Sequence, residues 1–274
     1  MFAVLFGAML HASWNVLVKS SPDKTLDTAL IHLGCSFIAI PFCLALGFPS
    51  AESWPYLIAS VLIHVAYYFA LAKAYEHGEL GLAYPLMRGV APLMVAIGSF
   101  VFLDGAALSG LAWIGIGVIC FGVLILGMST GLFQHRVAIA IALINSIIIA
   151  IYTLIDAKGV RTSEHAFQYI AALFALDGWI FAFWVFYVRK GQVLNYAKKR
   201  WTIALGGATA SVSSYAIALW AMTVAPVAAV AALRETSVLF AVLLGVWIIK
   251  EPFTFRRLLS VVAIVCGAVL LRLA

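Results

Sequence analysis

The feature that most constrains the fold of this chain is a succession of long apolar stretches separated by short polar, glycine- or proline-containing breaks. A bilayer-spanning helix needs about 20 apolar residues, whereas a strand of a membrane barrel alternates polar and apolar residues over about 10 positions. The stretches are long and apolar all round, so they predict helices. We predict an all-α polytopic membrane protein with ten transmembrane helices at 2–18, 28–47, 54–75, 81–102, 108–127, 136–155, 166–187, 202–223, 227–249 and 257–273.

Composition excludes the soluble classes. Hydrophobic types make up 65% of the 274 residues and charged types 10%, compared with roughly 45–50% and about 25% in soluble domains. So few polar groups cannot cover a water-facing surface, which rules out a soluble enzyme, a disordered chain and a coiled coil. The net charge of +6 does not indicate a nucleic-acid partner, because Lys and Arg of membrane proteins gather on cytoplasmic loops.

The distribution of Lys and Arg predicts a topology. Of the 17, 12 follow odd-numbered spans, 3 follow even-numbered spans or lie at the termini, and 2 lie inside spans. The positive-inside rule then places the odd loops in the cytoplasm and both termini on the non-cytoplasmic side of the cell (inner) membrane. The segment from Arg189 to Arg200 is predicted to be the one long polar loop.

The two halves of the sequence resemble each other. Three features recur at nearly constant spacing: Arg88 and Arg234, 146 residues apart, Asp104 and Glu251, 147 apart, and Gly122 and Gly267, 145 apart. They indicate duplication of a five-helix unit, with residues 1–130 as the first repeat and 131–274 as the second. An odd number of spans inverts the second copy, an architecture typical of transporters. The alternative is chance similarity between apolar segments.

Several motifs carry a resemblance to a known family. They are the segment 14–19, the hairpin from 74 to 85, the segment 234–241 and the segment 251–254. With these the chain resembles the drug/metabolite transporter superfamily, in its EamA-like branch, over nearly its whole length. The resemblance implies a ten-helix carrier of small metabolites, often an exporter. Asp104-Gly105 departs from the Gly-Glu more usual in that family at the end of span four.

Four charged residues lie well inside predicted spans: Arg88, Asp177, Arg234 and Glu235. A charge near the middle of the bilayer costs about 2.5–3.5 kcal/mol on insertion scales, so each is a candidate functional residue. The two arginines are candidate anion sites, and the two carboxylates are candidate sites for a proton or an ammonium group. Because the four charges sum to zero, mutual pairing is the structural alternative.

Polar and aromatic residues on the same spans complete the predicted substrate site. His64, Tyr68 and Tyr75 lie on one stripe of span three, which suits either a cavity wall or ordinary packing. Trp14 is a site candidate or an interface anchor. The remaining candidates are Asn15, Tyr84, Ser214, Tyr215 and Ser237.

These features predict a secondary active transporter that works by alternating access, and the family resemblance implies more specifically an exporter. The sequence has no P-loop, so ATP does not drive transport directly; no enzymatic activity, cofactor or metal is expected. The predicted partners are the lipid bilayer, a coupling proton and a small zwitterionic or anionic metabolite such as an amino acid or aminophosphonate. The chain is expected to act as a monomer or homodimer. An intramembrane lipid-modifying enzyme and a non-transporting scaffold are the alternatives.

Overall fold

The structure is a computed structural model that describes residues 1–77, 80–103, 108–127, 136–247 and 254–274. Within these ranges it describes only the backbone of residues 71–77, 80–85, 127, 136, 138 and 245. The described residues are helical and contain no strand. The α-helices are α1 (Phe2–Lys19), α2 (Lys24–Leu46), α3 (Trp54–His77), α4 (Leu80–Phe102), α5 (Gly110–Gly127), α6 (Arg136–Thr162), α7 (Ala166–Val188), α8 (Val193–Val224), α9 (Val227–Arg234), α10 (Ser237–Trp247) and α11 (Phe255–Leu273), with a 3-10 turn at Ala51–Ser53.

Each predicted span corresponds to one helix, except the ninth, which is divided into α9 and α10. Among the described residues, seven helical segments are long and apolar enough to cross a membrane. Two shorter apolar segments, Leu86–Phe102 and Gly110–Leu126, belong to α4 and α5. The predicted all-helical, multi-pass fold class is therefore confirmed.

Two predicted boundaries are wrong. The polar segment 189–200 is not a loop, because α8 begins at Val193 and continues through it. Leucine, alanine, lysine and arginine are all good helix formers, and Arg200 is held by a carboxylate of α2. Helix α6 likewise continues to Thr162, so Asp156 and Arg161 belong to a helix rather than to a loop.

Side-chain and backbone groups close the helix ends. Asp23 accepts a hydrogen bond from the backbone N–H of Leu26 at 3.0 Å and caps α2. Helix α2 ends at Gly47, whose φ of 82° favours glycine. The turn between α8 and α9 is closed by Arg161, which donates to the carbonyl oxygens of Met222 at 2.8 Å and Ala225 at 3.1 Å.

The core lies between the two halves of the chain. Helix α2 packs against α7 and α8, α3 against α6 and α7, and α1 against α8, α9 and α10. Helix α4 packs against α5, α6 and α9, and α5 against α11. Glycines allow the closest crossings: a Cβ on Gly178 of α7 would lie 2.6 Å from the carbonyl carbon of His32 on α2.

Candidate functional site

The break between α9 and α10 brings several predicted site residues to one place. Arg234 is the last residue of α9, Ser237 is the first of α10, and Glu235 and Thr236 form the turn between them. The turn keeps its backbone paired, since the N–H groups of Glu235 and Thr236 donate to carbonyl oxygens of α9 at 3.0 and 3.1 Å. All four side chains are buried, and irregular backbone at membrane depth is tolerated where protein surrounds it.

Arg88 and Glu235 form a buried ion pair between the halves of the chain. Arg88 Nε on α4 donates to Glu235 Oε2 at 2.9 Å, and the two side chains are 6% and 5% exposed. The sequence left open whether the mid-span charges pair with one another, and for these two the pairing is formed. Such a pair is tolerated in a low-dielectric interior only with good geometry, because both charges lose their hydration.

Arg234 has a different environment. Its guanidinium lies over the ring of Tyr215, with 4.8 Å between the central carbon and the ring centroid. The residue is 9% exposed. Among the residues that the structure describes, no carboxylate lies within ion-pair distance of it. A cation–π contact therefore holds a buried positive charge that forms no ion pair with a described carboxylate.

Tyr215 is itself held by a carboxylate that sequence reasoning missed. Its hydroxyl donates to Asp156 Oδ2 at 2.6 Å, and the hydroxyl of Tyr169 donates to Asp156 Oδ1 at 2.9 Å. Asp156 is fully buried. Asp156 is not among the predicted site residues, because the sixth span was predicted to end at residue 155, although the apolar pattern continues through Val160.

Asp177 on α7 is bound by Tyr68 on α3. The Tyr68 hydroxyl donates to Asp177 Oδ2 at 2.5 Å. The other carboxylate oxygen, Oδ1, is buried and has no hydrogen-bond partner in the described part of the chain. His32 on α2, which is not among the predicted site residues, lies beside them with its ring centroid 4.2 Å from that of Tyr68.

His64 lies between the Asp177 and Arg234 environments. Its Nδ1 is within hydrogen-bond distance of the Ser60 hydroxyl and carbonyl, at 3.1 and 3.0 Å. Its ring packs 4.2 Å from that of Tyr152, and lies 6.2 Å from Tyr68 and 6.0 Å from Tyr215. His64 and Tyr68, the described side chains of the predicted His/Tyr stripe of α3, thus form with Tyr152 and Tyr215 an aromatic wall that joins the two charged environments.

The other predicted residues differ in their placement. Trp14 and Asn15 bond within their own helix: Trp14 Nε1 donates to His11 Nδ1 at 3.3 Å and Asn15 Nδ2 to the His11 carbonyl at 2.7 Å. Trp14 also packs edge-on against His32, 6.1 Å between centroids. Ser214 is buried on α8, where its backbone contacts α1.

Of the remaining predicted residues, Ser237 is described, whereas four others are described only in part or not at all. The Ser237 hydroxyl is buried, and within the described ranges it has no hydrogen-bond partner. The side chains of Tyr75 and Tyr84 lie outside the described residues, as do Asp104 and Glu251 of the predicted repeat.

Comparison with known proteins identifies the family. The EamA-like transporter family matches residues 136–273, which is half of the chain. The chain belongs to the EamA-like transporter family. The predicted resemblance to the drug/metabolite transporter superfamily is therefore confirmed. Membership makes the protein a multi-pass membrane protein of the transporter type, in agreement with a non-enzymatic role.

The fold of this EamA-like chain also occurs in a solved structure. One crystal structure superposes with a TM-score of 0.80 at 19% sequence identity, covering 99% of this chain and 97% of the other. At this identity the likeness concerns the fold alone. A search of curated proteins finds no match for the sequence.

Proposed function

We propose that this EamA-like chain is a secondary active transporter that exports a small polar metabolite by alternating access. The substrate is zwitterionic or anionic, with amino acids and aminophosphonates as the leading candidates, and a proton is the coupling ion. The protein lies in the cell (inner) membrane with both termini on the non-cytoplasmic side. The observation that carries the proposal is the buried Arg234, which has no carboxylate within ion-pair distance among the described residues.

Charge balance explains why Arg234 suits an anionic substrate. Arg88 and Glu235 neutralise each other across the halves of the chain. Arg234 adds a further positive charge next to this pair, and the face of Tyr215 lies against its guanidinium. A buried guanidinium is stabilised strongly by a bidentate carboxylate or phosphonate, which matches its fork of donors. A substrate anion would supply that counter-charge.

Helix packing supports the inverted repeat on which alternating access depends. If α9 and α10 count as one span, the described residues contain ten spans, and helices α1 to α5 correspond in order to α6, α7, α8, α9–α10 and α11. The contact of α1 with α8 then corresponds to the contact of α6 with α3. In the same way, the contact of α2 with α8 corresponds to the contact of α7 with α3. The contact of α4 with α5 similarly corresponds to that of α10 with α11.

The same correspondence favours two repeats divided as 1–130 and 131–274, with the site between them. The Arg88–Glu235 and Tyr68–Asp177 contacts both join one half to the other. A rocking motion of the halves would separate such contacts and expose the groups alternately to each side. Because one chain contains both halves, a monomer suffices, and a homodimer is compatible.

Flux through proteoliposomes tests the proposal. Purified protein would be reconstituted, loaded with labelled amino acids and aminoalkylphosphonates, and assayed with and without a pH gradient. We expect Arg234→Met to lower flux about 10- to 100-fold, because it removes a charge-assisted hydrogen bond to the substrate. Arg256→Met, which removes an exposed arginine at the start of α11, is the matched control.

Three results bear on the proposal. Wild-type flux in a folded Arg234→Met protein would refute the assignment of the anion site. Absence of flux for every compound in the wild type would refute the transport proposal itself. Conversion of labelled lipids in the same vesicles would favour the lipid-modifying alternative instead.

A further inference from the structure

Two buried polar side-chain atoms on neighbouring helices have no hydrogen-bond partner among the described residues. Asp177 Oδ1 on α7 and His32 Nδ1 on α2 have no hydrogen bond in the described part of the chain. The two residues are only 4% and 6% exposed. Buried polar atoms are almost always hydrogen-bonded, so an unpartnered pair requires an explanation.

The two residues that carry these atoms lie next to each other in the packed structure. Gly178, next to Asp177, packs so closely that a Cβ there would overlap the carbonyl group of His32. Tyr68 bridges the two residues, since its hydroxyl donates to Asp177 Oδ2 at 2.5 Å while its ring lies 4.2 Å from that of His32. The ring of Trp14 packs on the other side of His32. The site therefore combines one carboxylate, one imidazole and two aromatic rings.

The chemistry of this site is opposite to that at Arg234. Among the described residues, no Lys or Arg lies within ion-pair distance of Asp177. A carboxylate oxygen accepts hydrogen bonds, and so does Nδ1 of a neutral histidine whose proton is on Nε2. A ligand suited to this set carries a positive charge, at least two N–H donors and a shape that fits against aromatic faces.

We propose that Asp177, His32 and Tyr68 form a subsite for the ammonium group of the substrate. This inference rests on the proposed transport function and narrows its substrate class to zwitterions. The ammonium group donates to Asp177 Oδ1 and His32 Nδ1 and lies against the Tyr68 ring, while the substrate anion pairs with Arg234. The aromatic wall of His64 and its neighbours lies between the two subsites and contacts the carbon chain.

Binding to purified protein tests the inference without any need for flux. The probes are ω-amino acids and aminoalkylphosphonates of increasing chain length, each paired with the analogue that lacks the amino group. We expect the wild type to bind the amino compounds more tightly. The variant Asp177→Asn should weaken their binding about 10- to 100-fold and leave binding of the deaminated analogues within about threefold, because only a charge-assisted bond to the ammonium group is lost.

Two further variants make the test specific. His32→Phe keeps a ring but removes the acceptor, and we expect it to weaken the amino compounds by about 3- to 10-fold. Asp156→Asn is the matched control, since this buried carboxylate has both oxygens bonded by tyrosines, and it should leave the preference for amino compounds unchanged. If Asp177→Asn fails to fold, the binding of the same probes is compared in Asp177→Glu and His32→Phe instead.

Each outcome has a defined meaning. Equal weakening of amino and deaminated probes in Asp177→Asn would overturn the ammonium subsite, because the carboxylate would then act only on the structure. A wild type that binds anionic probes but shows no preference for the amino compounds would also overturn it, while the proposed transport of anions would stand. Binding of no probe by the wild type would overturn both proposals.

Discussion

Removal of Glu235 should destabilise the protein more than removal of Arg88. The pair is buried, with a 2.9 Å bond and side chains only 5% and 6% exposed. Breaking a buried pair from one side costs about 3–5 kcal/mol of unfolding free energy, because the remaining charge is left without its partner. A carboxylate can be neutralised by protonation, whereas a guanidinium cannot lose its proton. Glu235→Gln therefore leaves behind the residue whose buried charge costs more free energy.

The energy of the pair itself follows from a double-mutant cycle. We expect Glu235→Gln to lower the free energy of unfolding by about 4 kcal/mol and Arg88→Met by about 3 kcal/mol. The double variant should lower it by less than the sum, because it removes both charges of the pair. The coupling energy should then be about 3 kcal/mol. The free energy of unfolding in mixed detergent micelles would be measured for all four proteins.

The magnitude of the coupling energy distinguishes a buried ion pair from an exposed one. Solvent-exposed pairs give coupling energies of about 0.2–1 kcal/mol. A coupling below about 1 kcal/mol, or a cost for Arg88→Met that exceeds the cost for Glu235→Gln, would contradict the reasoning from burial.

Two further predictions follow from the packing. Gly178→Ala should lower the free energy of unfolding by about 1–3 kcal/mol, because its Cβ would overlap the backbone of His32. The control Gly206→Ala has open space around it and should leave the free energy of unfolding unchanged. Equal effects in the two variants would refute this. Arg200→Met should cost about 1–3 kcal/mol, because it leaves Asp27, whose side chain is 2% exposed, without its charged partner. An unchanged unfolding curve for Arg200→Met would show that this pair adds no stability.

The length rule predicted the spans well because the bilayer imposes it on each helix separately. It failed at two helix ends: the sixth span was ended too early, since α6 continues to Thr162, and the eighth was begun too late, since α8 begins at Val193. The first turns of α8 are polar, so hydropathy alone began that span at residue 202. Tertiary contacts stabilise it, chiefly the bidentate bond between Arg200 and Asp27.

Candidate charges could be found from the sequence because an ionisable residue stands out against an apolar stretch. This identified Arg88, Asp177, Arg234 and Glu235, all of which are buried. Which of them pair could not be predicted, since pairing depends on how helices far apart in the chain pack. The break at Glu235–Thr236 contains no glycine or proline, so it could not be predicted from the sequence.

The glycine contact between α5 and α11 limits how the two halves can move. A Cβ on Gly267 would lie 2.7 Å from the carbonyl oxygen of Gly115, and one on Gly115 would lie 3.0 Å from that of Gly267. With no side chains between them, the helices cannot slide along each other without collision at the next residue. A second close approach lies further along the pair, since a Cβ on Gly122 of α5 would lie 3.1 Å from the backbone nitrogen of Ile264 on α11. During alternating access we therefore expect α5 and α11 to move together as one unit, although they belong to different halves of the chain.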